Sequence, residues 1–197
     1  MQDLSQFTEA LLSAAKSEGA QAADAIATDG RSLSIDVRDG ALEQAERAEG
    51  VDIGLRVLIG KRQACVSASD TSPDTIRALA ERAVAMAKIA PEDPHIGLAD
   101  ADQLATDIDA SHLDLIEHGD EPVPAELQDM AARAEAAALA HEGISQVQSA
   151  TAAFSNTAMH IAATNGFSAG YARSSHGLYC VAITGSGTGM ERDYFGE

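Results

Sequence analysis

An α+β fold, with helices packed on antiparallel meander sheets in two subdomains joined by an acidic linker, is predicted by three observations. Apolar residues recur with helical spacing in three separate stretches. Between and after them, apolar and polar residues alternate with a period of two, and short turn signals join these runs as hairpins. A proline-rich acidic stretch separates the two groups. Hairpin-linked strands make antiparallel sheets, which sets the pattern apart from a doubly wound α/β fold.

In chain order, Leu4, Phe7, Leu11, Leu12 and Ala15 form the apolar stripe of a first helix, which Gly19 stops. Leu33, Ile35 and Val37 then alternate with Ser34, Asp36 and Arg38, and Val51, Ile53, Leu55, Val57 and Ile59 alternate likewise. Asp39-Gly40 is a turn signal, and Ile59-Gly60-Lys61-Arg62 reads as a tight hairpin with Gly60 supplying positive φ. Ala64, Val66 and Ala68 form the return strand. The intervening "ALEQAERAEG" has helical propensity, but its place in a meander favours a strand. Ser72-Pro73 opens a second helix, a cap followed by proline in the first turn. Its stripe is Ile76, Leu79, Ala80, Ala83, Val84 and Ala87, and it ends before Pro91.

Residues 91–126 change character, with eleven Asp or Glu, no Lys or Arg, and four of the five prolines. They read as an exposed connector with short helical pieces. This places an N-terminal subdomain at 1–92, an acidic linker at 93–123 and the start of a second α+β region at 124–197. The second region opens with an Ala-rich helix from Glu126 to His141. Four strand-like segments follow, at 146–154, 159–163, 167–173 and 178–184. Asn165-Gly166 between the second and third is the strongest short hairpin signal in the chain.

Several short motifs invite a chemical reading. His141-Glu142 in "HEGISQ" is half of a zinc-protease signature, which needs a second histidine one turn on. That position is Ser145, or Gln146 in a longer variant, and Gly143 breaks the helix first. A helix C-terminus capped by Gly143 is expected instead. "GSGTG" at 185–189 has no Lys after it and opens no βαβ unit, so it reads as a strand-end loop. "GKRQ" at 60–63 reads as a solvated turn. "DADQLATDIDAS" lacks the central Gly and terminal Glu of a calcium loop. The six histidines, His95, His112, His118, His141, His160 and His176, include no helical i, i+4 pair. Ser174, Ser175 and His176 hold a nucleophile and a base type, but adjacent strand residues point apart. No catalytic, cofactor-binding or metal-ligating residue is assigned from these motifs.

The net charge of −18 opposes direct binding to nucleic acid or to an anionic membrane. Hydrophobic residues make up 45% of the chain but aromatics only 4%, so the core must come from Ala, Leu, Ile and Val. Cys65 and Cys180 are far apart and fit no metal spacing, so reduced thiols are expected. "MQDLSQFTEALLSAAKSEG" has neither the basic nor the apolar region of a signal peptide, and no apolar run of about 18 residues suggests a span. A cytoplasmic protein is expected.

The stretch "SLSIDVRDGALEQAERAEGVDIGLRVLIGKRQACVSASDTSPDTIRALAERAVAMAKIAPEDP" resembles the N-terminal region of the PmbA/TldD family. "ATNGFSAGYARSSHGLYCVAITGSGTGMERDY" resembles the same family's next segment. Order and spacing agree from about residue 4 to Tyr194, and the match is nearer to the PmbA type, also called TldE, than to TldD.

The resemblance implies a bacterial metalloprotease assembly, in a family also named modulator of DNA gyrase. TldD-type and PmbA-type subunits pair, and unfolded peptide enters the cleft between them. Zinc would sit in the TldD-type partner, in an H-E-x-x-x-H helix with a later Cys. The PmbA-type subunit would carry no zinc and no catalytic residue. Members of the family are more than twice this length, and the zinc motif lies beyond the matched region, so no ligand transfers to any residue here. The expected partners are a TldD-type subunit, further copies of the chain, and peptide substrate. The alternative is an acidic binding or regulatory module without proteolysis.

Overall fold

A computed structural model describes residues 3–197 of the chain. The elements run α1 (Ser5–Ser17), β1 (Ala22–Arg38), β2 (Ala41–Ile59), β3 (Arg62–Ala68), α2 (Pro73–Ile89), α3 (Pro124–Leu139), β4 (Ile144–Ala163), β5 (Ser168–Thr184) and β6 (Glu191–Gly196). The six strands form one sheet in the order β3-β2-β1-β4-β5-β6. The fold is α+β with an antiparallel sheet, as the periodicities indicate. Its two meanders are joined where β1 pairs with β4. Thr164 N–H donates to Ala23 O at 2.9 Å near one end of that pair, and Thr151 Oγ1 donates to Asp36 at 2.5 Å near the other. One strand rises in number as its partner falls, so the pair is antiparallel.

The chain makes two compact units from interleaved segments. The first contains residues 3–30, 50–115 and 157–172, and the second 31–49, 116–156 and 173–197. Each of β1, β2, β4 and β5 therefore gives one stretch to each unit.

In the first unit α1 and α2 pack against each other, and α2 lies over β3. Leu11 and Ala15 of α1 meet Leu79, Ala80, Ala83 and Ala87 of α2, all buried, above Ala23, Ala25, Ile53, Leu55 and Val57 of the strands. Alanine recurs where helix and sheet come close, which is how a chain poor in aromatics fills a core at ordinary density. Gly19 ends α1 at φ +95°, and Ala20 N–H reaches back to Ala15 O at 2.9 Å. At the start of α2, Ser72 Oγ accepts from Thr75 N–H at 3.3 Å. Asp70 accepts from the Thr75 hydroxyl, from Ser72 N–H at 2.9 Å and from the Ser72 hydroxyl at 3.0 Å, and these bonds hold its carboxyl below the usual range. A depressed folded pKa stabilises the fold above the unfolded pKa, and the benefit is lost as pH falls through the folded value. Ser72→Ala is expected to lower stability by about 1 kcal/mol in thermal melts, the usual loss for an N-cap hydroxyl.

In the second unit α3 covers Ile35 and Val37 of β1 and Val147, Ala150, Ala152 and Phe154 of β4. Leu127 and Ala131 are the fully buried apolar contacts of the helix. Pro124 occupies its first turn, and Glu126 Oε2 accepts Val123 N–H at 2.9 Å. The next position on the same stripe is Glu135, only 3% exposed. Its two oxygens accept Asp39 N–H at 2.7 Å and Gly40 N–H at 2.8 Å. Asp39 and Gly40 both have positive φ, 53° and 71°, the geometry of the two-residue turn that matches strand twist. That turn directs two amides at the helix, and a carboxylate meets them.

Some expectations change. The four segments expected after α3 are two long strands. The apparent breaks at 155–158 and 174–177 are mostly polar stretches that continue the ladder, with Ser155 Oγ and Ser175 Oγ 2.9 Å apart across it. The last residues form β6, paired with β5 from Thr184↔Glu191 to Tyr179↔Gly196. "ALEQAERAEG" is strand, as its place in the meander suggested. The acidic stretch holds only single helical turns, at Ala101–Gln103 and Ser111–Leu113. It is tethered within each unit. Asp93 N–H donates to Lys61 O at 2.8 Å and Asn165 Nδ2 to Ala99 O at 3.0 Å in the first, and Glu121 pairs with Arg31 at 2.5 Å in the second.

Candidate functional site

The "HEGISQ" segment lies where a helix turns into a strand. α3 ends at Leu139, so His141 and Glu142 stand beyond its last turn. Gly143 caps it at φ +93°, and Ile144 N–H bonds His141 O at 3.2 Å. Thr184 Oγ1 donates to Gly143 O at 2.5 Å and Ser145 Oγ to Ile183 O at 3.1 Å, tying the turn to the end of β5. A zincin site needs two imidazoles on one helical face with the carboxylate beside them. Here there is no helix at the motif, and the second ligand position holds a hydroxyl or an amide. These residues do not fit zinc.

The remaining histidines are spread over both units. His160 Nδ1 lies 2.9 Å from Thr8 Oγ1, and His176 Nε2 lies 3.2 Å from Glu117 Oε2 with its ring 5.0 Å from that of Phe154. Ser175 bonds Ser155 while its neighbour His176 bonds Glu117, as alternation along a strand requires. Among the described residues, no three His, Cys, Asp or Glu gather in a way that would hold a metal ion. Both cysteines are free. Burial first, and the charge of Glu135 second, push the Cys180 thiol up from its ordinary range, which keeps it protonated and unreactive.

The glycine run 185–189 joins β5 to β6 and precedes no long helix. Gly185 has φ +76°, and a Cβ there would collide with the carbonyl of Gly189. Chain reversal accounts for these glycines. The cations at 61–62 stand at an exposed turn and also reach the neighbouring chain. Lys61 Nζ bonds Ile96 O at 3.3 Å, and Arg62 bonds Ala90 O at 2.9 Å and Glu92 at 3.2 Å. They hold the start of the acidic stretch.

Two features went unread in the sequence. One is Glu135, whose signal was available: an acid continuing the four-residue spacing of Leu127 and Ala131. The other is where the free strand edges lie. Residues 41–50 of β2 are exposed throughout, and the pairing of β2 with β3 begins only at Ile53. β6 is exposed along its whole length, with Tyr194 69% and Phe195 73% open. A free edge offers unpaired main-chain donors and acceptors, which can take an extended peptide without regard to its side chains. Chemically, the described residues offer backbone recognition.

Residues 23–87 match the family description "PmbA/TldA metallopeptidase domain 1", and residues 117–197 match "PmbA/TldA metallopeptidase central domain". The chain is 32% identical over 184 residues to the Metalloprotease PmbA of Escherichia coli O157:H7, covering 93% of this chain and 40% of that protein. It is 33% identical over 196 residues to a Metalloprotease PmbA homolog of Haemophilus influenzae, covering 98% of this chain and 42% of that protein. It thus spans about two-fifths of the length of these curated relatives. Among solved structures, a candidate modulator of DNA gyrase from Bacteroides thetaiotaomicron aligns with a TM-score of 0.77 at 16% identity, over 98% of this chain and 44% of that one. TldE from Thermococcus kodakarensis aligns with a TM-score of 0.68 at 14% identity, over 97% and 42%. At such identities these structures speak to the fold, while the two matched domains, in order and covering most of the sequence, speak to descent. The chain belongs to the PmbA/TldD family.

Proposed function

We propose that the chain forms the N-terminal portion of a non-catalytic, PmbA/TldE-type subunit in a zinc metalloprotease that processes unfolded peptides in the cytoplasm. The observation that carries this reading is the pair of family domains in a chain whose one zincin-like segment is a helix-ending turn, with Ser145 and Gln146 where a ligand would stand. Zinc and the general base belong, on this reading, to a TldD-type partner. The exposed edges of β2 and β6 suit a wall of a peptide channel, because main-chain pairing accepts an unfolded segment of any sequence. Among the described residues no helix is long and apolar enough to cross a membrane.

The test is light scattering on a size-exclusion column, with the chain alone and mixed with a TldD-type subunit from the same source. A stable complex is expected, and peptide cleavage only by the pair. The chain alone is expected to carry far less than one zinc per molecule by atomic emission. Tight, stoichiometric zinc binding by the isolated chain would overturn the reading. The net charge of −18 favours a second reading, an acidic module that engages a basic partner without proteolysis. A salt-sensitive complex with such a partner, formed without any TldD-type subunit, would select it.

A further inference from the structure

Beneath the first turns of α1, a threonine, a histidine and a serine form a relay. Thr8 is fully buried, and its hydroxyl donates to Ser5 O at 2.9 Å. The same oxygen lies 2.9 Å from His160 Nδ1. With the hydroxyl proton committed to the Ser5 carbonyl, the oxygen accepts and Nδ1 donates. That fixes the imidazole tautomer and leaves Nε2 with its lone pair free. Ser168 Oγ lies 3.3 Å from Nε2, and Ser168 is exposed at the start of β5. A nucleophile within reach of a base, and a base oriented by a third group, is the arrangement that activates a hydroxyl.

We propose that Ser168 is an activated serine that accepts an acyl group from small carboxylic esters with good leaving groups, with His160 as general base and Thr8 as the positioning residue. As Oγ bonds to the ester carbonyl carbon, the Ser168 O–H bond breaks and its proton passes to His160 Nε2. The tetrahedral intermediate collapses by breaking the bond to the leaving oxygen, which takes the proton from Nε2. The products are an O-acyl serine and the free alcohol or phenol. General-base assistance alone gives about 10²–10⁴-fold. That suffices for a phenolate leaving group and not for a peptide amine, so the activity is separate from proteolysis and independent of any TldD-type partner.

The experiment is incubation of the chain with p-nitrophenyl acetate, followed by nitrophenol release, intact mass and peptide mapping. One acetyl group is expected on Ser168. Ser168→Ala, at an exposed position, should abolish that adduct. His160→Gln should slow it by about 10²-fold. Thr8→Val should slow acylation of Ser168, because His160 Nδ1 loses its partner, and Thr8→Ser should restore the rate. Acetyl groups scattered over lysines with Ser168 unmodified would overturn the proposal. So would a Ser168 rate unchanged in a folded His160→Gln variant.

Discussion

Replacing Glu135 by alanine is expected to lower the stability of the chain by about 2–4 kcal/mol in denaturant melts, since hydrogen bonds to charged groups contribute about 1.5–3 kcal/mol each and buried donors left unpaired add their desolvation. The carboxylate is nearly inaccessible, and it accepts the Asp39 and Gly40 amides together. Alanine leaves both amides facing an apolar helix. Glu135→Gln keeps one acceptor oxygen but turns an amide NH₂ toward an N–H donor, so about half the loss is expected there. Hydrogen exchange should show the change locally, as faster exchange at Gly40. The variant should also ease the Cys180 thiol back toward its ordinary range, because one of the two causes of its upward shift is removed. An alanine variant within about 0.5 kcal/mol of the parent, the range of ordinary surface changes, would show that the turn holds its shape without the helix.

Leu11→Ala should have an effect of similar size in the first unit, about 2–5 kcal/mol, the range for truncating a fully buried leucine. Leu11 has no exposed surface and lies in the core cluster with the alanines of α2. Alanine neighbours cannot swing inward to fill a void, so the cavity persists and the loss should fall in the upper part of that range. Leu113→Ala is the matched control. It deletes the same atoms from a side chain 55% exposed in the acidic stretch, and the expected change is within about 0.5 kcal/mol. Equal effects at the two positions would mean that α1 is not docked as described.

Much of this architecture was legible because local chemistry and tertiary structure agree. Gly19, Gly60 and Gly143 stop or turn the chain at positive φ, and the period-two runs of β1 and β2 bury their odd positions. Illegible was whatever depends on residues far apart in sequence. The pairing of β1 with β4 joins Ala23 to Thr164, and no local pattern encodes such a partner. The fusion of four segments into two strands was hidden because Ser155 and Ser175 read as loop residues singly and as a cross-strand pair only together. The candidate site was legible chiefly in the negative. Missing ligands at 145 and 146 could be read directly, whereas the His160 relay draws on α1, β4 and β5 and is invisible to spacing.

The interleaving of the two units bears on how the protein is made. The first unit is closed by residues 157–172 and the second by residues 173–197. A chain emerging from the ribosome at about 5–20 residues per second therefore completes the first unit only when residue 172 has been made, and the second only at residue 197. The early hairpins of β1, β2 and β3 must wait with the β4 partner of β1 missing and that edge open. Folding rate falls as contacts grow more distant in sequence, so this protein's hazard is concentrated in the seconds before residues 157–197 emerge, when a nascent-chain chaperone would have most to cover.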